Sequence, residues 1–144
     1  MCKIALAVLV ALITLPVTAR DDHNMYSIED ALKAPKAQEK LDPNVNLYFG
    51  EQKHPKVAKS FGEAHTNKKT NAFNKSDKEA CEWTFLSAVL ELQKRANKEG
   101  GNAVINIKSN YKNIEHSSKT EYMCGNGALM SGVALKGTVV KTVK

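Results

Sequence analysis

The chain has 144 residues, 42% of them hydrophobic, with 21 Lys and Arg against 15 Asp and Glu and a formal charge of +6. That length holds one compact domain with a modest core. Neither an internal repeat nor a low-complexity tract is present, which excludes a repeat array or a disordered chain.

Residues 1–19 read as an export signal. Lys3 supplies a positive start, "IALAVLVALITL" is an apolar run of leader length, and Pro16 ends it. "VTA" places small residues before Arg20, so cleavage is expected after Ala19. The run is short of the roughly 20 residues that a membrane span needs. No cysteine sits just after the cleavage point, so no lipid anchor is expected there, and no transmembrane span is expected in the mature chain. Loss of Lys3 lowers the formal charge from +6 to +5, and Cys2 leaves with the leader. Cys81 and Cys124 remain, and in an oxidising compartment they pair as one disulfide.

Residues 20–44 form an N-terminal arm, and 45–144 the α+β domain. In the arm, Ser27 and Asp30 stand at capping spacing before a short amphipathic piece with Ile28, Ala31 and Leu32. Pro35 can begin a second helical turn and Pro43 closes the segment. Short helices packed loosely on the domain are predicted. "VNLYFGEQ" at 45–52 alternates as a strand. "KVAKSFGEAHT" at 56–66 is a weaker strand in which Gly62 suggests a bulge, and the polar 67–75 reads as a loop.

Ser76 and Glu79 then make a capping box that opens a long helix. Cys81, Phe85, Ala88, Val89, Leu92 and Ala96 fall in one apolar stripe, and Trp83, Leu86 and Leu90 in a second. One stripe faces a sheet. The other meets either the arm or another subunit, which makes Trp83, Leu86 and Leu90 the candidate interface. Gly100 and Gly101 stop the helix, one of them at a left-handed φ.

"NAVINIKSNY" alternates with Ala103, Ile105, Ile107 and Tyr111 on one face. "KTEYMC" at 119–124 is a further strand, with "KNIEHSS" as the hairpin loop between them. Two arrangements fit 119–141: a hairpin turning at the glycines of "GNG", which the pattern favours, or one long bulged strand. The last strand sets Leu129, Val133, Leu135 and Val139 on one face. The predicted fold is α+β: one long helix on a small, mainly antiparallel sheet of four to five strands, stapled by Cys81–Cys124.

Catalytic groupings are missing from the sequence. His23, His54, His65 and His116 make no zinc-ligand spacing, although His54 and His65 could meet if their strands pair. There is no G-x-S-x-G elbow, no phosphate-cradling loop and no cysteine left for nucleophilic attack. No enzyme activity, cofactor or metal is therefore expected. Lys68, Lys69, Lys75 and Lys78 surround Phe73. Nucleic acid is a poor partner for an exported chain, and an anionic envelope surface suits this field better.

The stretches "LYFGEQKHP", "CEWTFLSAVLELQKRANKEGGNAVINIKSNY" and "YMCGNGALMSGVALKG" resemble a family of small exported bacterial proteins often labelled excinuclease-like. The resemblance implies export; the ATPase chemistry of a nucleotide-excision enzyme does not carry over, because this chain has no phosphate-binding loop. "GGNAVINIK" with the late "GVALKG" is also similar to YbjQ-type heavy-metal-binding families and to Rcs-type envelope stress-sensor lipoproteins. These imply a helix-on-sheet domain, oligomeric in the first case and a disulfide-stabilised signalling domain in the second. The chain departs from both, with no lipid-attachment cysteine, two mature cysteines in place of four, and no metal-ligand set.

The function expected from the sequence is an exported, non-enzymatic binding or structural domain of the bacterial envelope, periplasmic or secreted. Its partner would be an envelope protein or an anionic surface component. A metal-binding module using His54 and His65, or a homo-oligomeric envelope stress-related protein, are the alternatives.

Overall fold

A computed structural model describes residues 11–15 and 20–143. Most of the expected leader, including Cys2, Lys3 and the cleavage point, lies outside the described residues. Residues 11–15 carry no regular structure and are exposed.

The architecture is α+β, one long helix against a curled, mixed sheet of six strands. In chain order, β1 (Asp22–Ser27) leads into α1 (Ile28–Lys33) and α2 (Pro35–Lys40). Next come β2 (Asn46–Phe49), β3 (Val57–Asn71) and the helix α3 (Asp77–Glu99). β4 (Ala103–Ser109), β5 (Glu121–Asn126) and β6 (Met130–Thr142) complete it. The sheet runs β1-β5-β6-β4-β2, with β3 paired along β6. β6 is the organising strand. One edge pairs with β3 from Met130 to Thr142, while the other pairs first with β5 and then with β4. The β2–β4 pair is parallel; the remaining pairs are antiparallel.

The helix forms as its sequence dictates. Ser76 Oγ accepts from the Glu79 backbone N–H at 3.1 Å, and Gly100 ends the helix at φ +84°. Gly101 answers a different demand, since a Cβ there would stand 2.8 Å from the Val140 carbonyl oxygen. One glycine supplies the turn and the next lets the helix end lie against β6. Cys81, Phe85, Ala88, Val89, Leu92 and Ala96 are all fully buried. They meet Val104 and Ile107 of β4, Tyr122 and Cys124 of β5, and Val133, Leu135 and Val139 of β6 in one core. Phe85 stacks on Tyr122 at 4.1 Å between centroids, and Phe49 tilts against Phe85 at 5.8 Å. Each such side chain fully withdrawn from water contributes about 1.5–3 kcal/mol, which makes this face the main stabilising surface.

Six expectations need correction, beginning with the sheet, which has six strands where four to five were expected. The arm does not begin as a loose helical segment: Asp22–Ser27 is a strand laid antiparallel on β5, from Asp22 opposite Asn126 to Ser27 opposite Glu121. Its polar composition hides it, because one long edge stays open to water. β3 runs on through 67–71, where a loop was expected, because backbone pairing with β6 outweighs the polar side chains. The bulge at Gly62 is present, at φ +98° with a register shift between Ser60 and Gly62. In β4 the alternation breaks at Asn106, whose φ of +52° inserts a bulge between Ile105 and Lys108. Val104 and Ile107 are therefore buried while Ile105 is only half-buried. β4 and β5 are not hairpin neighbours: they lie along the same edge of β6, each paired with its own stretch of that strand. Finally, Leu129 leaves the face it was assigned to and is exposed in the β5–β6 turn. That turn is the hairpin favoured over a single bulged strand: the Gly127 N–H donates to the Met130 carbonyl at 2.9 Å.

Cys81 and Cys124 stand at bonding distance with Cα atoms 5.9 Å apart, inside the range a disulfide spans. The tie joins the first turns of α3 to β5 across 43 positions. Closing that loop removes denatured-state freedom worth about 4 kcal/mol in the chain-entropy treatment. Cys81→Ser/Cys124→Ser should accordingly lose about 3–4 kcal/mol in urea unfolding, with the helical circular-dichroism signal retained at zero denaturant. Equal midpoints for the oxidised protein and the double variant would show that the tie contributes nothing.

Candidate functional site

The covalent tie is embedded in a buried polar junction. Asn126, fully buried at the end of β5, donates through Nδ2 to Cys81 Sγ at 3.1 Å and to Ser131 Oγ at 3.0 Å. Its Oδ1 accepts from Asn24 Nδ2 at 2.8 Å. One amide therefore links β1, β5, β6 and α3. A buried polar group is costly unless it is satisfied, and here satisfaction also ties β1 to the core through Asn24.

The second helix stripe meets the arm. Leu86 is buried, and Trp83 and Leu90 are half-buried. Trp83 and Leu86 line a largely apolar groove of about 320 Å³ together with Ala31, Ala34, Pro35 and Ala37. Lys36 Nζ sits 3.5 Å from the Trp83 ring centroid, an attraction of about 0.5–1 kcal/mol where water reaches it. The arm thus contacts this stripe at Trp83 and Leu86. Ser27 caps α1 by accepting from the Asp30 N–H at 3.1 Å, and Pro35 starts α2. The turn after α2 is held by Gln93, whose amide accepts from the Asp42 N–H at 3.0 Å and donates to the Val45 carbonyl at 2.9 Å.

On the sheet face away from α3 lies a second region. Tyr111 rests over Gly125 and Gly132, where Cβ atoms would fall 2.1 Å and 2.9 Å from its ring. His23 meets that ring edge-on at 5.2 Å. A groove of about 530 Å³ runs past Arg20, Asp21, Lys69, Tyr111, Lys112 and Met130. Arg20 is clamped by Asp22 at 2.7 Å and by Asp77, and Lys112 pairs with Asp21. The Lys112 hydrogen bond holds the Asp21 carboxyl below the usual carboxylate range. Lys69, on the same groove, makes no ion pair among the described residues.

The other residues singled out from sequence disperse. His65 pairs with Glu63 at 2.6 Å on the exposed face of β3, whereas His54 lies beside Tyr48 before that strand begins. Among the described residues no group of three or more His, Cys, Asp or Glu side chains could hold a metal ion. Lys78 pairs with Asp30 at 3.5 Å and Lys68 with Glu91 at 3.7 Å. No helix among the described residues is long and apolar enough to cross a membrane. Asn126 and Gln93 escaped the sequence reading, and Tyr111, expected on the strand face of Ala103, Ile105 and Ile107, lies instead in a 3-10 turn after β4 with its ring over Gly125 and Gly132. A polar residue beside a cysteine, or on the apolar side of a helix, is the signal that could have drawn attention to the first two.

Tyr122 carries the largest perturbation in the core. It is 1% exposed, its Oη has no hydrogen-bond partner among the described residues, and burial, with Glu82 and Tyr26 beside it, pushes the phenol well above its ordinary value. A raised pKa leaves stability intact below the unfolded value near 10 and removes it as pH climbs further, because the unfolded chain loses its proton first. Unfolding free energy should fall above about pH 10, with Tyr122 adding about 1.4 kcal/mol per pH unit to the slope. Tyr122→Phe should remove that component and leave neutral-pH stability equal or higher, since an unpartnered buried hydroxyl is lost. An unchanged alkaline slope in denaturant titrations of the variant would contradict this. No protein-family model, no curated protein and no solved structure matches the chain.

Proposed function

We propose that the chain is an exported, non-enzymatic binding or structural domain of the bacterial envelope, made rigid by the Cys81–Cys124 tie. The observation that carries this reading is the sulfur pair at the centre of the core, at bonding distance and tied to Asn126. A disulfide built into the main packing face is compatible with an oxidising compartment and would be reduced in the cytosol. The apolar run before Arg20 supports the same reading, since Leu12, Ile13 and Leu15 are exposed and add nothing to the core. So does the resemblance to small exported proteins.

Binding is the role that fits the surfaces. The apolar groove under the arm and the basic groove around Tyr111 are open clefts on a braced scaffold. The second of these, where Lys69 has no carboxylate partner among the described residues while Arg20 and Lys112 are already paired, suits an anionic component of the envelope through Lys69. Trp83 and Leu86 line the groove with arm residues and Leu90 is half-buried, so a homo-oligomer built on this stripe would have to extend over the arm as well.

The export reading is tested by fractionating a bacterium that expresses the chain and weighing the intact protein. A mature species beginning at Arg20, found outside the cytosol and resistant to thiol labelling until reduced, is the expected result. A cytosolic protein of full length with both Cys81 and Cys124 labelled without reductant would reject the proposal.

A further inference from the structure

Of the five large apolar side chains exposed between residues 20 and 143, three gather at one end of the β3–β6 ribbon. Phe73 is 65% exposed, Leu129 63% and Met130 45%. Two loops bring them together: the Ala72 N–H donates to the Leu129 carbonyl at 2.8 Å, and Asn71 stands opposite Met130 in the ladder. The Phe73 loop is a shaped turn, its N–H donating to Asn71 Oδ1 at 2.7 Å, with Lys75 Nζ bound to the Asn71 carbonyl at 3.0 Å. Single exposed apolar residues need no explanation, but a cluster on a rigid projecting end does.

The unpaired charge around this end is positive, because the nearby carboxylates of Asp22 and Asp77 are held by Arg20 and that of Asp21 by Lys112. Residues 64–76 and 122–144 contain no Asp or Glu, while Lys68, Lys69 and Lys75 lie in the first of these stretches. Lys69 lines the groove that reaches Met130, and neither Lys69 nor Lys75 has a carboxylate partner among the described residues. The chain also enters the domain here. Arg20, the first residue of the expected mature chain, donates through Nη1 to the Gly127 carbonyl at 3.4 Å, at the end that carries Leu129 and Met130.

We propose that this end is a membrane-contact surface: Phe73, Leu129 and Met130 enter the headgroup region of an anionic bilayer, while Lys69 and Lys75 meet lipid phosphates. The chemistry is that of interfacial binding, in which modest apolar insertion and a few lysines near a negative surface act together. A second copy of the chain is the poorer occupant, because it would bring the same lysines face to face. The proposal rests on the export reading, which places the protein beside such a bilayer, and it narrows the anionic component to lipid.

The test is co-sedimentation of the protein, purified as it accumulates in the cell, with vesicles of phosphatidylcholine alone or mixed with phosphatidylglycerol. Binding to the anionic vesicles is expected, weaker at high salt. About a tenfold or greater loss is expected for Phe73→Ser/Leu129→Ser and, separately, for Lys69→Glu/Lys75→Glu. All four positions are exposed or lie on a loop, and circular dichroism confirms that each variant is folded. No binding to anionic vesicles at micromolar protein, or binding that both variants retain, overturns the proposal. Self-association abolished by Phe73→Ser/Leu129→Ser without vesicle binding also overturns it, in favour of a second copy. Intact mass separates the two levels: a chain cleaved at Arg20 that ignores vesicles leaves export standing, and a full-length chain whose binding falls in both variants leaves the membrane surface standing.

Discussion

The packing of α3 across the sheet is the constraint on which the rest of the molecule depends, and the Cys81–Cys124 tie fixes it where the two layers first meet. The sulfurs lie at the N-terminal end of a stripe that continues through Phe85, Val89 and Leu92 to Ala96, all without exposure to water. Hydrophobic burial alone holds a helix to a sheet without dictating its position along the strands. A covalent link at one end and a glycine-permitted close approach at the other leave α3 little room to slide. Gly101 beneath Val140 is the second of those two fixed points.

Side-chain amides, buried at Asn126 and Gln93 and half-buried at Asn102, extend this order to other segments of the chain. Asn126 holds β1 through Asn24, Gln93 holds the turn after α2, and Asn102 holds the end of β6, accepting from the Thr142 N–H at 2.8 Å. Each connects a polar stretch of chain to an element already packed in the core. The net worth of one such bond is modest, on the order of 1 kcal/mol, but an unmatched partner left behind costs more. The junctions therefore specify arrangement more than they add stability.

This division explains what could be read from the sequence. The Ser76 cap, the stripe on α3, the paired cysteines and the glycine stop are local or periodic signals, and each is present in the structure, the cap through the Glu79 N–H to Ser76 Oγ bond alone. β1 and the far half of β3 were illegible because nonlocal backbone pairing creates them. "DHNMYS" and "NKKTN" carry polar residues that become strand only when β5 and β6 are beside them. The bulge at Asn106 defeated the alternation rule by one residue, exchanging Ile105 for Val104 in the core. The candidate surfaces were legible only in part. Lys69, Phe73 and Lys75 stood together in the sequence, but Leu129 and Met130 joined them through a ladder that no spacing reveals.

A braced interior with chemistry confined to its surfaces is the picture that unites these features. Native-state hydrogen exchange on oxidised and reduced protein tests its central claim most directly. If the sulfur tie sets the arrangement, reduction should raise exchange at the amides of β1, β5 and the first turns of α3 together, while the β3–β6 ladder stays protected. Identical exchange in those three elements before and after reduction would contradict the account, because it would mean that packing alone holds the helix in place.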